Sequence, residues 1–357
     1  MKPLAIGPEF SLLTRCCQWN FRSAPEHARP EILPGLDWNL LVELARRHRV
    51  QGLVWNALAK FEDLPHPAKE ALSSDARSVA ATNLGIAKES QALLQAFEGA
   101  GVPLLFVKGL TVGALAYRYP LLKMGWDIDL LIDPRDLEQA SDLISSLGYT
   151  LQIPADAAKL SAWHARSKES VWDRDGAFHV ELHTRLADNP LLIPTIDVHS
   201  PNQWVEVAPD IRLPTLAEEE LLAYLAVHGA SSAWFRLKWI SDFAARLAGK
   251  SGEDVESLYR QSQQLGSARA FGQALLLADT LFQVLGPSPR LKGLLSEDWT
   301  AKLLCEAALR MMTRIGEPTE RLLGTLPIHW TQFLLRPGIG FKYSELRRQA
   351  GLLSLRH

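Results

Sequence analysis

Three acidic residues on two short apolar segments have the pattern of a site for divalent metal ions. Asp127 and Asp129 stand two positions apart in segment 126–132, and on a β-strand both side chains would point to the same face. Glu181 lies in a second apolar segment, 178–182. Carboxylate oxygens select a hard cation such as Mg²⁺, and a set of three could hold two ions for phosphoryl chemistry. An isolated Asp-x-Asp also occurs at ordinary acidic strand ends.

A lysine and a glycine lie where a buried strand is expected to turn into a helix. Lys108 and Gly109 follow the apolar run 102–107 and precede a helical pattern over 110–119. Glycine lets an anion approach the backbone N–H groups at a helix start, and the lysine adds a positive charge. The pair therefore predicts a phosphate-binding turn. The same two residues also fit an ordinary strand-to-helix turn with a solvated lysine beside the glycine.

The histidines beside Glu181 leave more than one interpretation open. His179, Glu181 and His183 share one strand face by alternation, which could indicate a zinc site. The pattern fits equally well a carboxylate that binds metal or accepts a proton, with two histidines that orient it. We favour the second interpretation, and a half-exposed edge strand is the plain alternative.

The helical half of the chain contains a further polar group. Lys238 and Asp242 are four residues apart and follow His228, so on a helix the lysine and the aspartate share one face. A surface ion pair is the simplest explanation of this spacing. Trp239, next to the lysine, is expected in the core.

The order of hydrophobic periods predicts an α+β protein, with a small mixed β-sheet core flanked by helices and a mostly α-helical C-terminal domain. Thr215 and Glu218 have the spacing of a helix capping box. The expected units are an irregular arm (1–36), helices (37–100), the α/β core (101–213), a helical domain (214–325) and a tail (326–357). The expected strands are 102–107, 126–132, 149–153 and 178–182, and the later helices are about 215–229, 233–249, 252–265, 267–285 and 298–315.

Composition narrows the classes of partner. The 357 residues carry a net charge of -2, which gives no general attraction to long nucleic acid. No segment is long and apolar enough to cross a bilayer, so we expect a cytoplasmic protein. Cys16, Cys17 and Cys305 have no metal-ligand spacing and are expected to be reduced thiols.

Taken in order, these segments resemble the uncharacterised nucleotidyltransferase family of the polymerase-β-like superfamily, from about residue 40 to about residue 300. The residues that carry the resemblance are Leu105-Phe106-Val107-Lys108-Gly109, Tyr119-Pro120, Asp127-Ile128-Asp129-Leu130-Leu131-Ile132, Val180-Glu181-Leu182-His183, His228, Arg236-Leu237-Lys238-Trp239 and Asp242.

The resemblance implies a reaction and roles for these residues. A nucleotidyl group would pass from an NTP to an acceptor hydroxyl or phosphate, with loss of pyrophosphate. By position, Lys108 and Gly109 would form the triphosphate turn, and Asp127, Asp129 and Glu181 would hold two Mg²⁺ (or Mn²⁺) ions. The gene neighbourhoods of such proteins make a modified peptide one candidate acceptor, and a small molecule is the other candidate.

The chain departs from the usual superfamily pattern at two positions. The turn is Lys-Gly, as in this branch, where the superfamily usually has Gly-Ser or Gly-Gly. Lys123 stands where members of the branch usually carry arginine, and lysine lacks the bidentate grip of a guanidinium. We expect Lys108, Lys123 and Lys238 to neutralise phosphate charge.

Two other functions fit parts of the pattern. A glycosyltransferase also uses Asp-x-Asp, but it predicts a larger and more parallel sheet before that motif. A non-catalytic member would bind a nucleotide or peptide within a biosynthetic assembly.

Nucleotidyl transfer requires a particular arrangement of the two acidic segments. Segments 126–132 and 178–182 should be neighbouring strands, with all three carboxylates on the open face of the sheet. His179 and His183 should then lie at the rim of the cavity.

Overall fold

A computed structural model describes residues 6–24 and 29–355, with side chains up to residue 351. Five strands form a mixed sheet in the order β1-β2-β5-β4-β3, and two more form a separate hairpin. The strands are β1 (Leu104–Phe106), β2 (Asp127–Ile132), β3 (Thr150–Ile153), β4 (Glu169–Arg174), β5 (Phe178–His183), β6 (Asn202–Ala208) and β7 (Ile211–Leu216).

The described residues also contain fifteen α-helices. They are α1 (Pro8–Trp19), α2 (Trp38–Arg47), α3 (Gln51–Leu58), α4 (His66–Gly99), α5 (Leu110–Ala116), α6 (Leu137–Ser146), α7 (Leu160–His164), α8 (Glu218–Ser231), α9 (Leu237–Leu247), α10 (Gly252–Gln264), α11 (Ala268–Phe282), α12 (Pro289–Glu297), α13 (Trp299–Met312), α14 (Leu326–Gln332) and α15 (Ile339–Leu355). The predicted α+β class with a helical C-terminal region is confirmed.

The central pair of strands explains why the acidic residues meet. β2 and β5 run parallel and the other strand pairs of the sheet are antiparallel. Ile128 pairs with Val180, and both side chains are buried. Because side chains alternate along a strand, the neighbouring pair of Asp129 and Glu181 points to the opposite face. The predicted neighbouring strands and shared core face are therefore confirmed.

The described residues pack around two hydrophobic cores, and the grouping of helices around them does not follow their order along the chain. One core lies between the sheet, α4, α6 and the β6–β7 hairpin. The other joins residues of α1, α2 and α3 to residues of α8, α9, α11 and α13. The N-terminal helices therefore share a core with the C-terminal helices, although the sheet separates them in the sequence.

The prediction of an irregular arm over 1–36 is wrong for residues 8–19, which form α1. Pro8 occupies the first helical position, where its missing N–H costs nothing. Leu12, Leu13 and Cys16 are completely buried, so packing against the other helices stabilises this short segment. The parts of the predicted arm at 1–5 and 25–28 lie outside the described residues.

Several predicted boundaries in the second half were also wrong. Thr215 belongs to β7, and α8 begins after Ala217 without a side-chain cap, so the proposed capping box does not form. β4, β6 and β7 were not predicted, because their mixed polar and apolar residues match no simple alternation over a long stretch. The predicted tail contains α14 and α15.

The cysteines and the helices add two observations. Cys16, Cys17 and Cys305 are buried and form no disulfide. Among the described helices, none combines the length and the apolar character that crossing a membrane requires.

Candidate active site

A cavity of about 410 Å³ opens at the polar face of the β2–β5 pair, between the sheet and the helices α8 and α9. Its lining contains acidic and basic side chains in similar numbers. They are Asp127, Asp129, Glu169, Glu181, Asp188 and Asp242, and Arg49, Lys108, Lys123, Lys168, Arg236 and Lys238. Every acidic, glycine or lysine residue that the sequence singled out for the site lies in this lining.

Lys108 and two of the carboxylates form the floor of the cavity. The Lys108 Nζ atom lies 2.6 Å from Asp129 Oδ1 and 3.4 Å from Glu181 Oε2. The Asp129 side chain is 1% exposed, and its Oδ2 atom has no hydrogen-bond partner in the described part of the chain. Asp127 also lines the cavity and is only partly buried.

His183 belongs to this cluster. Its Nε2 atom lies 3.2 Å from Asp129 Oδ1, 3.5 Å from Glu181 Oε2 and 3.3 Å from Glu169 Oε2. One possible ligand atom from each of Asp129, Glu181 and His183 falls within 4.8 Å of the others, which is close enough to share a metal ion. This compact group contains His183 and leaves Asp127 out, so it differs from the predicted trio of carboxylates.

The prediction that both histidines rim the cavity is wrong. His183 is completely buried beneath it. His179 lies outside the lining, where its Nδ1 atom is 2.8 Å from Asp173 Oδ1 and its ring stacks on Trp126. Strand alternation placed both on the correct face but could not show how far each lies from the cavity.

Burial and neighbouring charges set the protonation of the floor. The pKa of Asp129 is raised to about 6, mainly by burial. The nearby carboxylates of Asp127 and Glu181 act in the same direction, and together these effects outweigh the attraction of Lys108. Burial also acts to raise the pKa of Glu181, but Lys108 and His183 hold it well below its ordinary value. Glu181 is therefore ionised at neutral pH.

The donor set fits a hard divalent cation. Asp127, Asp129 and Glu181 supply carboxylate oxygens, and the unpartnered Asp129 Oδ2 atom is a buried acceptor that a cation would satisfy. The Lys108 ammonium already lies between two of these carboxylates. This position shows that the floor is a place where the protein stabilises positive charge.

The predicted phosphate turn has the expected backbone. Gly109 precedes α5 with φ of 66°, a conformation that residues with a side chain rarely adopt. The Lys123 ammonium donates to the Gly109 carbonyl oxygen at 3.1 Å and lies 3.2 Å from Asp242 Oδ2. Tyr117 donates its hydroxyl proton to Asp242 Oδ1 at 2.9 Å. Asp242 is thus buried against the turn, and its predicted surface ion pair with Lys238 is wrong.

A loop-fixing asparagine explains how Lys123 reaches this position. The Asn83 amide group of α4 donates to the carbonyl oxygens of Leu121 and Lys123, at 2.7 and 2.8 Å. Its Oδ1 atom accepts the Gly125 N–H at 3.1 Å. These three bonds hold the segment that precedes β2, so α4 positions both Lys123 and the first aspartate.

The opposite wall of the cavity is basic. Burial, together with the nearby Lys123 cation, lowers the pKa of Lys238 to about 7. Arg49 and Arg236 line the same wall, and Arg236 also contacts Glu317 with an Nη2–Oε1 distance of 3.0 Å. Trp239 packs against the larger hydrophobic core, as predicted, and also lines the cavity.

Sequence reasoning missed Arg49, Lys168, Glu169 and Arg236 as lining residues. Arg49 has φ of 57° in the short break between α2 and α3, and nothing in the periodicity indicates that this break faces the sheet. Lys168 and Glu169 stand at the start of β4, a strand that was not predicted. Recognition of β4 would have placed Glu169 opposite His183.

A cavity with an acidic floor and a basic wall suits the binding of a divalent cation and of phosphate groups. The model of the family described as "Uncharacterised nucleotidyltransferase" matches residues 34–283, which is more than half of the chain. The chain therefore belongs to this family, and the predicted resemblance is confirmed. Comparison with curated proteins and with solved structures finds no significant match.

Proposed function

We propose that this protein transfers a nucleotidyl group from an NTP to an acceptor hydroxyl or phosphate, with release of pyrophosphate. The observation that carries the proposal is the pairing of Asp129 with Glu181 across β2 and β5, at the floor of a cavity with a basic wall. Catalysis of this kind depends on positioning and on neutralising charge, which are the two properties that this cavity offers.

Asp127, Asp129 and Glu181 would hold Mg²⁺ or Mn²⁺. When bound, such ions neutralise the phosphate oxygens and lower the pKa of a coordinated acceptor hydroxyl. His183 holds Asp129 and Glu181 in place through its Nε2 atom, at 3.2 and 3.5 Å.

The basic residues would bind the triphosphate. Gly109, whose φ is 66° and which carries no side chain, would let a phosphate approach the backbone at the start of α5. Lys238, Arg49 and Arg236 face the cavity from the helical side and would neutralise the negative charge of the leaving pyrophosphate. Lys108 would move from the carboxylates toward phosphate when a cation takes its place.

The acceptor would approach Glu181. Because the pKa of Glu181 lies well below its ordinary value, its carboxylate is ionised and can accept a hydrogen bond from the acceptor hydroxyl. The bond from the acceptor oxygen to the α-phosphorus forms as the bond to pyrophosphate breaks. A modified peptide or a small molecule could supply the oxygen.

The two alternative functions, glycosyl transfer and non-catalytic binding, predict different properties of the protein. A glycosyltransferase would be expected to have a larger parallel sheet, whereas the five-stranded sheet has one parallel pair. A non-catalytic member would bind nucleotide or peptide without turnover, and its binding of nucleotide would not depend on Mg²⁺.

The test measures binding of each NTP with and without Mg²⁺, followed by transfer from α-labelled NTP to a cell extract. We expect Mg²⁺ to tighten binding of at least one NTP and labelled product to form. Asp129→Asn should lose both effects. Asp142→Asn, at an exposed position of α6, is the matched control and should keep them. NTP binding that does not respond to Mg²⁺ would favour the non-catalytic alternative.

A further inference from the structure

A second cavity, of about 550 Å³, lies beside the candidate active site, and four of its ten lining residues are arginines. We call it the arginine groove. Its charged lining residues are Arg166, Arg185, Asp188, Arg347 and Arg348. Asp188 lines the active-site cavity too, so the two cavities share a wall.

The strands that build the active-site floor lead directly into the arginine groove. Glu169 at the start of β4 pairs with His183 at the end of β5, and both belong to the floor cluster. Arg166 lies three residues before Glu169, and Arg185 lies two residues after His183. A small molecule in the groove would therefore have its other end close to the acidic floor.

The groove holds more positive than negative charge, since four arginines and one aspartate line it. Among the described residues, no carboxylate forms a salt bridge with Arg166, Arg185 or Arg347, whereas Arg348 contacts Glu345. Arg347 packs its guanidinium over the Tyr343 ring on the same helix. An anion bound in the groove would neutralise this positive charge.

Arg185 supplies an independent indication of a missing partner. Its Nη1 atom donates to the His164 carbonyl oxygen at 2.7 Å, but its Nε atom is buried and has no hydrogen-bond partner in the described part of the chain. A buried donor without an acceptor costs free energy. Burial also lowers the pKa of this guanidinium, although the nearby Asp188 acts to raise it.

We propose that the arginine groove binds a phosphate group of the acceptor, so that the acceptor is a phosphorylated small molecule. One guanidinium group can donate two parallel hydrogen bonds to two oxygens of a phosphate. A cluster of several arginines therefore matches a doubly charged phosphate better than it matches a single carboxylate. The cavity volume suits a small molecule. The proposal rests on the nucleotidyl transfer proposed above and adds the chemical class of the second substrate.

The experiment titrates glycerol 3-phosphate into the protein at constant ionic strength, by calorimetry, with Mg²⁺ and a nonhydrolysable NTP analogue present. The analogue fills the active-site cavity, so the probe must bind elsewhere. Arg166→Gln combined with Arg347→Gln removes two exposed arginines of the groove. Arg77→Gln combined with Arg290→Gln removes two exposed arginines outside both cavities and serves as the control.

We expect the wild type and the control to bind the probe equally, and the groove variant to bind at least about tenfold more weakly. Glycerol without phosphate should not bind. The proposal is overturned if the wild type does not bind the probe, if the groove variant binds it as well as the wild type, or if the NTP analogue displaces it.

A separate titration with the NTP analogue alone keeps the two proposals apart. Failure of the analogue to bind with Mg²⁺ contradicts nucleotidyl transfer. The probe titration without the analogue then still reports on the groove through the same pair of variants.

Discussion

At the scale of single residues, the two aspartates of β2 have different surroundings although both point to the polar face. Asp129 is buried and contacts Lys108 and His183. Asp127 is partly exposed, and no hydrogen bond or ion pair of its side chain occurs among the described residues. Both are proposed to bind metal, so substitution of either should abolish transfer.

We predict that Asp127→Asn abolishes transfer and leaves the free energy of unfolding unchanged or slightly raised. The substitution removes a negative charge beside Asp129 and breaks no ion pair, so it relieves repulsion in the metal-free protein. Urea denaturation without metal, together with the labelled-NTP assay, measures both quantities. Wild-type transfer by this variant would show that Asp127 is no part of the metal site.

We predict that Asp129→Asn abolishes transfer and leaves the free energy of unfolding at neutral pH unchanged or raised. The pKa of Asp129 is raised in the folded protein, so its ionised carboxylate costs free energy on folding, and the neutral asparagine removes that cost. Lys108 keeps Glu181 as a charged neighbour at 3.4 Å. The same denaturation series at neutral pH measures the change. A large loss of stability would show that the contact with Lys108 outweighs the burial of the Asp129 carboxylate.

At the scale of elements, α9 of the helical region fixes the turn before α5. Asp242 of α9 contacts Lys123, and Lys123 donates to the Gly109 carbonyl oxygen at 3.1 Å. The side chains of Lys123 and Asp242 are each 5% exposed. Lys123 therefore has a structural partner on each side, and its contribution to nucleotide binding is expected to act through the turn.

We predict that Lys123→Met lowers the free energy of unfolding by about 3 kcal/mol, because it leaves the buried Asp242 carboxylate without its cation. The KM for NTP should also rise, since the Gly109 carbonyl loses its donor and the turn becomes less fixed. Denaturation and steady-state kinetics measure the two effects.

The double variant Lys123→Met with Asp242→Asn separates stability from positioning. It removes both buried charges, so part of the lost stability should return. The raised KM should persist because the contact to Gly109 is still missing. If the KM returned together with the stability, Lys123 would have no separate effect on the turn.

At the scale of the whole molecule, His48 links the N-terminal helices to the C-terminal helices. It follows α2, is completely buried, and accepts the Leu237 N–H on its Nδ1 atom at 3.0 Å. Arg47 beside it donates to the carbonyl oxygens of Phe235 and Met311, at 2.8 and 3.1 Å. Burial, followed by the charges of Arg47 and Arg236, lowers the pKa of His48 well below its ordinary value of 6.5.

We predict that His48 makes the protein less stable in mild acid. Because the folded protein lowers this pKa, the unfolded chain binds the proton more readily, and folding stability falls as the pH drops below 6.5. The contribution is fully present above that pH and its slope reaches at most about 1.4 kcal/mol per pH unit. Urea denaturation between pH 7.5 and pH 5 measures it, with both limits chosen at about one unit or more from 6.5.

His48→Asn tests this assignment, since the asparagine Oδ1 atom can accept the Leu237 N–H without titrating. The slope of the free energy of unfolding against pH should become smaller, by at most the slope that the uptake of one proton causes. His66→Asn, whose side chain is 81% exposed, is the matched control and should leave the slope unchanged. An unchanged slope in His48→Asn would contradict the role of His48.

The floor of the site was predictable from the amino-acid sequence alone. The alternation of apolar and acidic residues in β2 and β5 fixed which side chains face the core, so the meeting of Asp129 and Glu181 followed once the strands were neighbours. The glycine at the turn before α5 was also predictable, because its backbone conformation is local. Family membership followed from the order of these motifs.

The surroundings of that floor depend on how distant segments pack against it. Burial of α1, the contact of Lys123 with Asp242, and the positions of Arg49 and Arg185 depend on segments far apart in the sequence. Local periodicity reports that a face is apolar, but it does not report which distant element covers that face. Long basic side chains add to the uncertainty, because they reach several ångströms from their own backbone and take their partners from whatever packs nearby.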